Sequence, residues 1–163
     1  MSKMIVTDIE KCTGCGLCEL ICSFKHHGEF NPVKSRIHKT VFVERAVAIP
    51  VVCYQCEEPW CGKICRAEAI TWEKDEKTGA TWVEVSETKC VGCRMCTLAC
   101  PYGNIVVSEK GHAEKCDLCD GDPECVKFCA TGAIRFAEPE SGLIARKRAV
   151  AEKLLESYKE AKY

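Results

Sequence analysis

The chain has 163 residues, with 23 Lys and Arg against 24 Asp and Glu and a formal net charge of −1. So balanced a chain lacks the basic excess that nucleic-acid binding requires, and its length suits one compact domain or two very small ones. Cysteine is the outlier at 16 residues, which leaves either a disulfide scaffold in a secreted chain or a metal protein in a reducing compartment.

The opening residues, MSKMIVTDIEK, bear on that choice. They carry no apolar signal core, no twin-arginine pair and no small-residue cleavage site, and no apolar run in the chain approaches the roughly 20 residues that span a bilayer. The expectation is a cytoplasmic protein with reduced thiols, no membrane span and no nucleic-acid partner.

Taken in chain order, residues 4–8 read as a first strand. Cys12, Cys15, Cys18 and Cys22 follow, spaced C-x2-C-x2-C-x3-C, and then a polar loop with His26 and His27 runs to Ile37. Strands at 40–44 and 46–53 lead into a second set, Cys53, Cys56, Cys61 and Cys65, spaced C-x2-C-x4-C-x3-C. The stretch TWEKDEKTGATWVEV reads as a hairpin turning at 77–79, with its second strand at 81–85. Cys90, Cys93, Cys96 and Cys100 repeat the first spacing and are followed by Pro101 and a strand at 104–108. The fourth set is Cys116, Cys119, Cys125 and Cys129, spaced C-x2-C-x5-C-x3-C, with a strand at 133–137 behind it. Short helical turns are expected after Cys15, Cys56, Cys93 and Cys119. From Leu143 the sequence LIARKRAVAEKLLESYKEAKY reads as a helix, with Arg146 to Arg148 at its solvated start and Val150, Leu154, Leu155 and Tyr158 on one stripe. Such a helix packs either on its own domain or on a partner or a second copy.

All sixteen cysteines sort into these four sets. The first and third reproduce the bacterial ferredoxin run for a [4Fe-4S] cluster, in which the fourth cysteine ligates a different cluster. A short wrapping loop places three thiolates on neighbouring iron corners, and small residues such as Gly14, Gly16 and Gly92 let the backbone come close. C-x2-C-x2-C triplets make poor disulfide geometry. Zinc sites of four thiolates also use C-x2-C pairs, but they separate two pairs by a long spacer, so a zinc-stabilised interaction module is the weaker alternative. No cysteine is spare for nucleophilic or thiol-redox chemistry, so His26 and His27 read as loop residues, while His38 and His112 receive no role.

The sets form an internal repeat. Lys11 and Lys89 each precede a C-x2-C-x2-C triplet, and the endings CRAEAITW and CATGAIRF resemble one another, which gives ferredoxin-like units at 1–72 and about 80–137. The expected fold class is α+β: two interleaved ferredoxin-like dicluster units, with short strands and helical turns wrapped around four cubanes, over residues 1–142, and a helical extension at 143–163.

Four such motifs in this order resemble the iron–sulfur subunits that serve molybdopterin and tungstopterin oxidoreductases, over about residues 4–137. In that family the motifs pair first with last and second with third. Carried over, the resemblance implies one cluster on Cys12, Cys15, Cys18 and Cys129 and a second on Cys22, Cys116, Cys119 and Cys125. It implies a third on Cys53, Cys56, Cys61 and Cys100 and a fourth on Cys65, Cys90, Cys93 and Cys96. Spacing alone leaves a sequential pairing within each half equally open. The run CSFKHHGEFNPVKSRI, from Cys22 to Ile37, resembles a segment of small subunits partnered with tungsten aldehyde oxidoreductases. Only Cys100 keeps a following proline, while Ser23, Arg66 and Ala130 follow the other fourth cysteines, unlike the longer membrane-anchored reductase subunits.

The resemblance implies a non-catalytic electron-transfer subunit working between a large tungstopterin subunit and a ferredoxin or a flavin/NAD subunit. Partnership with a tungsten aromatic acyl-CoA reductase, or a free-standing polyferredoxin, are the alternatives. Self-association through the terminal helix is a further expectation. Asn31, Pro32, Ser35 and Arg36 are expected to shape a loop beside a cluster or a partner contact, and Trp60, Tyr102 and Phe128 to shield clusters from water.

Overall fold

The computed structural model describes residues 3–76 and 80–138. The expected hairpin turn at 77–79 and the terminal helix from Leu143 lie outside these residues. Among the described residues, eight short strands pair antiparallel into four two-stranded ribbons: β1 (Met4–Thr7) with β8 (Ile134–Ala137), β2 (His38–Phe42) with β3 (Val47–Val51), β4 (Ile70–Lys74) with β5 (Thr81–Val85), and β6 (Ile105–Val107) with β7 (Ala113–Lys115). The β1–β8 ribbon ties the start of the chain to residues 134–137, so the two sequence repeats do not fold as separate units.

Side chains sort into two cores. One gathers Ile5, Ile37, Val52, Trp82, Leu118 and Ile134 around Cys22 and Cys125, with Cys18, Cys116 and Cys129 packed against it. The other gathers Ile70, Val83, Ile105 and Ala113 around Cys61 and Cys96, with Cys65, Cys90 and Cys100 alongside. Strand β5 stands between them. Because successive residues of a strand face opposite ways, Trp82 enters the first core and Val83 the second.

The expected polar loop after Cys22 is instead the end of a helix. Helix α1 runs Leu17–His27, from Gly16 at its start to Gly28 at its end, both in the left-handed region. The Gly28 N–H closes the helix on Phe24 O at 2.9 Å, and Lys25, His26 and His27 occupy the last turn, where the helix dipole favours cations. Glu19 on this helix is buried and accepts from both Lys39 N and Lys39 Nζ at 2.9 Å, which fastens α1 to β2.

The strand expected at 40–44 begins two residues earlier and stops at Phe42, because Val43–Arg45 form a 3-10 turn that ends on left-handed Ala46. Helices α2 (Trp60–Lys63) and α3 (Met95–Ala99) follow Cys56 and Cys93 as expected. After Cys116 the turn labelled α4 (Leu118–Gly121) is not helical in the middle: Cys119 and Asp120 have φ of 49° and 61°. The helix of that region is α5 (Glu124–Lys127), which packs on α1.

The segment between α1 and β2 is held by its own side chains. Asn31 caps the 3-10 turn Pro32–Lys34 by accepting from Val33 N at 3.2 Å, while its N–H donates to Ser23 Oγ at 3.0 Å. Ser35 is 0% exposed; its hydroxyl donates to Ile37 O at 2.6 Å and accepts from Ile37 N at 3.2 Å. Replacing Ser35 by Ala strips two buried backbone groups of their partner, and a loss of about 1–3 kcal/mol is expected in anaerobic denaturant unfolding. An unchanged denaturation midpoint would show that the segment is held by other contacts.

Candidate metal centres

The elements above bring cysteines from distant motifs onto common cavities. One cavity of about 310 Å³ is lined by Cys22, Cys116, Cys119 and Cys125, together with His26, Arg36 and Leu118. Another, of about 370 Å³, is lined by Cys12, Cys15, Cys18 and Cys129, with Phe128 on its wall. A third, of about 420 Å³, is lined by Cys65, Cys90, Cys93 and Cys96. The remaining four thiols act on one another electrostatically: Cys53 and Cys100 each disfavour ionisation of Cys56 and of Cys61.

None of the sixteen is in a disulfide. Burial is the main force on those that shift. It pushes the Cys18, Cys61 and Cys119 thiols up to about 11, raises Cys125 further, and raises Cys116 well above the ordinary thiol range. Neighbouring cysteines push the same way, with Cys22, Cys119 and Cys18 opposing Cys125, and Cys53 opposing Cys116. Cys129 is the exception: burial raises it, but hydrogen bonding from Ile134, Thr131 and Ala133 wins and its pKa falls. Metal binding requires thiolates. Four thiols crowded in a poorly solvated cavity ionise only when a cation compensates them, so the donor sets fit an iron–sulfur core.

The backbone supports the same chemistry. The Arg36 N–H donates to Cys22 Sγ at 3.3 Å, Ala69 N–H to Cys65 Sγ at 3.3 Å, and Ala113 N–H to Cys90 Sγ at 3.4 Å. Such bonds favour sulfur in its charged form. Of the loop residues singled out in the sequence, Arg36 therefore reaches a sulfur directly. Its guanidinium also bonds Asp117 Oδ2 at 2.6 Å and lies 3.8 Å from buried Glu114. His26 Nε2 lies 3.9 Å from Cys119 Sγ and 3.5 Å from Asp117, and burial, helped by Arg36, lowers its pKa. These interactions were invisible in the sequence because Asp117 and Glu114 come from far along the chain.

The expected shielding by aromatic rings is corrected in part. All three rings are exposed, Trp60 at 62%, Tyr102 at 51% and Phe128 at 48%, and Phe128 also lines a cysteine cavity.

Comparison with known proteins gives the same class. Residues 45–139 match the family described as 4Fe-4S dicluster domain, and residues 9–25 match a 4Fe-4S binding domain. The polyferredoxin-like subunit of aliphatic sulfonate oxidoreductase from Pyrococcus furiosus is 42% identical over 122 residues, covering 74% of this chain and 67% of that one. The electron transport protein HydN of Escherichia coli is 30% identical over 160 residues, covering 82% and 87%. A chain of the active site complex BamBC of benzoyl coenzyme A reductase, as isolated, is 24% identical over 96% of each chain at a TM-score of 0.47. The chain belongs to the 4Fe-4S dicluster domain family. It is an iron–sulfur electron-transfer protein.

Gly92 tests the close approach of backbone that the third motif needs. It sits at φ +69°, and a Cβ there would lie 2.8 Å from the Gly111 carbonyl oxygen, which is backbone and cannot swing away. Gly92→Ala is expected to lower iron content per chain after anaerobic purification while leaving the signals of the other sites in place. Full iron loading would show that the loop at Gly92 shifts freely.

Proposed function

We propose that this chain is a non-catalytic subunit of an oxidoreductase complex, carrying four [4Fe-4S] clusters through which single electrons pass between a tungstopterin catalytic subunit and a second carrier. The observation that carries the reading is the meeting of one thiol, or three, from the first motif with those of the fourth, and likewise for the second and third. In this reading Cys12, Cys15, Cys18 and Cys129 hold one cluster and Cys22, Cys116, Cys119 and Cys125 its neighbour. Cys53, Cys56, Cys61 and Cys100 hold a third, and Cys65, Cys90, Cys93 and Cys96 the fourth. The three shared cavities and the mutual repulsion within the remaining set support these groupings.

Bound at such sites, a [4Fe-4S] cluster supplies reversible one-electron storage at a potential set by charge, hydrogen bonds to sulfur and exposure to solvent. The protein's own contribution is placement. Each outer site has an exposed thiol, Cys15 or Cys93, and neither inner site does, while Cys96 of an outer site is buried along with Cys22, Cys53, Cys61 and Cys125. The two outer sites thus meet partners, and the two inner ones are insulated between them. Domain limits follow from the same reading, with residues 1–142 as the cluster-bearing body and 143–163 as an extension for docking or self-association.

An oxidoreductase partner is supported by the name of the Pyrococcus relative, a subunit of an oxidoreductase. The choice of a tungstopterin aldehyde oxidoreductase rests on the resemblance of the run from Cys22 to Ile37, whose Arg36 touches Cys22. A ferredoxin or a flavin/NAD subunit is the second carrier, and among the described residues no helix is long and apolar enough to cross a membrane. Anaerobic purification from native cells, followed by metal analysis, tests the whole reading. Tungsten in a stable complex with a large subunit, and about sixteen iron atoms on this chain, is the expected result. Iron without a companion would leave a free polyferredoxin, and a colourless zinc-bound chain would remove electron transfer altogether.

A further inference from the structure

A lysine buried where the two cores meet has no part in holding a cluster. Lys115, on β7, is 3% exposed. Its Nζ donates to Gln55 Oε1 at 3.2 Å, to Cys116 O at 3.0 Å and to Val83 O. Three acceptors match the three N–H groups of an ammonium. Gln55 is held to receive it: left-handed at φ 46° and buried, it accepts from Val83 N at 2.9 Å and donates to Cys116 O at 2.7 Å. Among the described residues no carboxylate lies within ion-pair distance of Lys115.

A buried ammonium with only neutral oxygen partners is costly unless negative charge stands nearby. That charge comes from sulfur. The partners of Lys115 lie within the second and fourth motifs: Gln55 stands between Cys53 and Cys56 in the chain, and the carbonyl bonded at 3.0 Å is that of Cys116. Gln55 bonds the same Cys116 carbonyl at 2.7 Å, so these motifs adjoin at this point. Lys115 and β5 stand at the seam.

We propose that Lys115 is a built-in positive charge shared by the two inner cluster sites, the one on Cys22, Cys116, Cys119 and Cys125 and the one on Cys53, Cys56, Cys61 and Cys100, and that it raises their reduction potentials relative to the outer pair. The proposal rests on the four-cluster reading above. A cation stabilises the reduced, more negative state of a neighbouring cluster, and a buried one is little screened by salt. Arg36 supplies no equivalent, because its guanidinium is already paired with Asp117 and faces Glu114.

The test is an anaerobic redox titration of the full iron-loaded chain, followed by electron paramagnetic resonance, for wild type and three variants. In Lys115→Met two of the four midpoint potentials fall, with a tenfold or greater loss in the one-electron equilibrium constant, about 59 mV or more. The other two stay in place. Lys115→Arg restores the wild-type values, which a role confined to fitting a side chain into the seam does not predict. Gln55→Glu keeps the lysine but sets a carboxylate against it, and lowers the same two potentials; this variant decides the matter should Lys115→Met fail to load iron. Unchanged potentials in an iron-replete Lys115→Met, or in Gln55→Glu, overturn the proposal and leave Lys115 as a tie between β5 and β7. A wild-type chain with far fewer than about sixteen iron atoms would sink the four-cluster reading and this proposal with it, and is recognised by analysis before any titration.

Discussion

Crowding thiols in fours where water is scarce is the constraint on which the rest of this molecule depends. Cys125 and Cys116 are harder to ionise for being buried, and harder again for having sulfur neighbours. Four such thiols give up their protons together only with a cation at their centre, and the donor sets fit one. Its strands are three to five residues long and pair only in twos, which is too little to stand alone. The hydrophobic clusters themselves include cysteines as members. Metal–sulfur bonding and folding are therefore coupled, in the manner of small metal-dependent domains.

The interleaving of distant motifs follows from the same constraint. A fourth cysteine carried on a helix or turn leaves its own loop and points toward a neighbouring site. Cys22 on α1 does so, reaching the cavity of Cys116, Cys119 and Cys125, while Cys129 reaches back to the cavity of Cys12, Cys15 and Cys18. The β1–β8 ribbon and the α1–α5 packing fix this exchange mechanically. Strand β5 then serves as a partition, with side chains in both cores and its backbone gripped by Gln55 and Lys115.

Much of the site was legible because cluster chemistry imposes local spacing. The four cysteine sets and the strand at 81–85 were readable from residues alone, since both depend on near neighbours in sequence. What escaped was non-local. The three residues of β7, Ala-Glu-Lys, carry no strand pattern, and a lysine in them reads as surface; only the packing of β5 against β7 buries it. The histidines after Cys22 read as loop because the helix around them closes on Gly28 rather than on the polar residues before it. Trp60 and Tyr102 are exposed, because standing beside a ligand in sequence does not fix which way a ring points.

The central claim is that four iron–sulfur centres are each shared between motifs far apart in sequence, in a row from an exposed outer site through two buried ones to the other exposed end. Anomalous diffraction at the iron edge from anaerobically grown crystals tests it most directly. The account predicts four compact iron peaks, with Cys129 beside Cys12, Cys15 and Cys18, Cys100 beside Cys53, Cys56 and Cys61, and Lys115 between the inner two. Fewer peaks, or four peaks each ligated by a single consecutive motif, would contradict it.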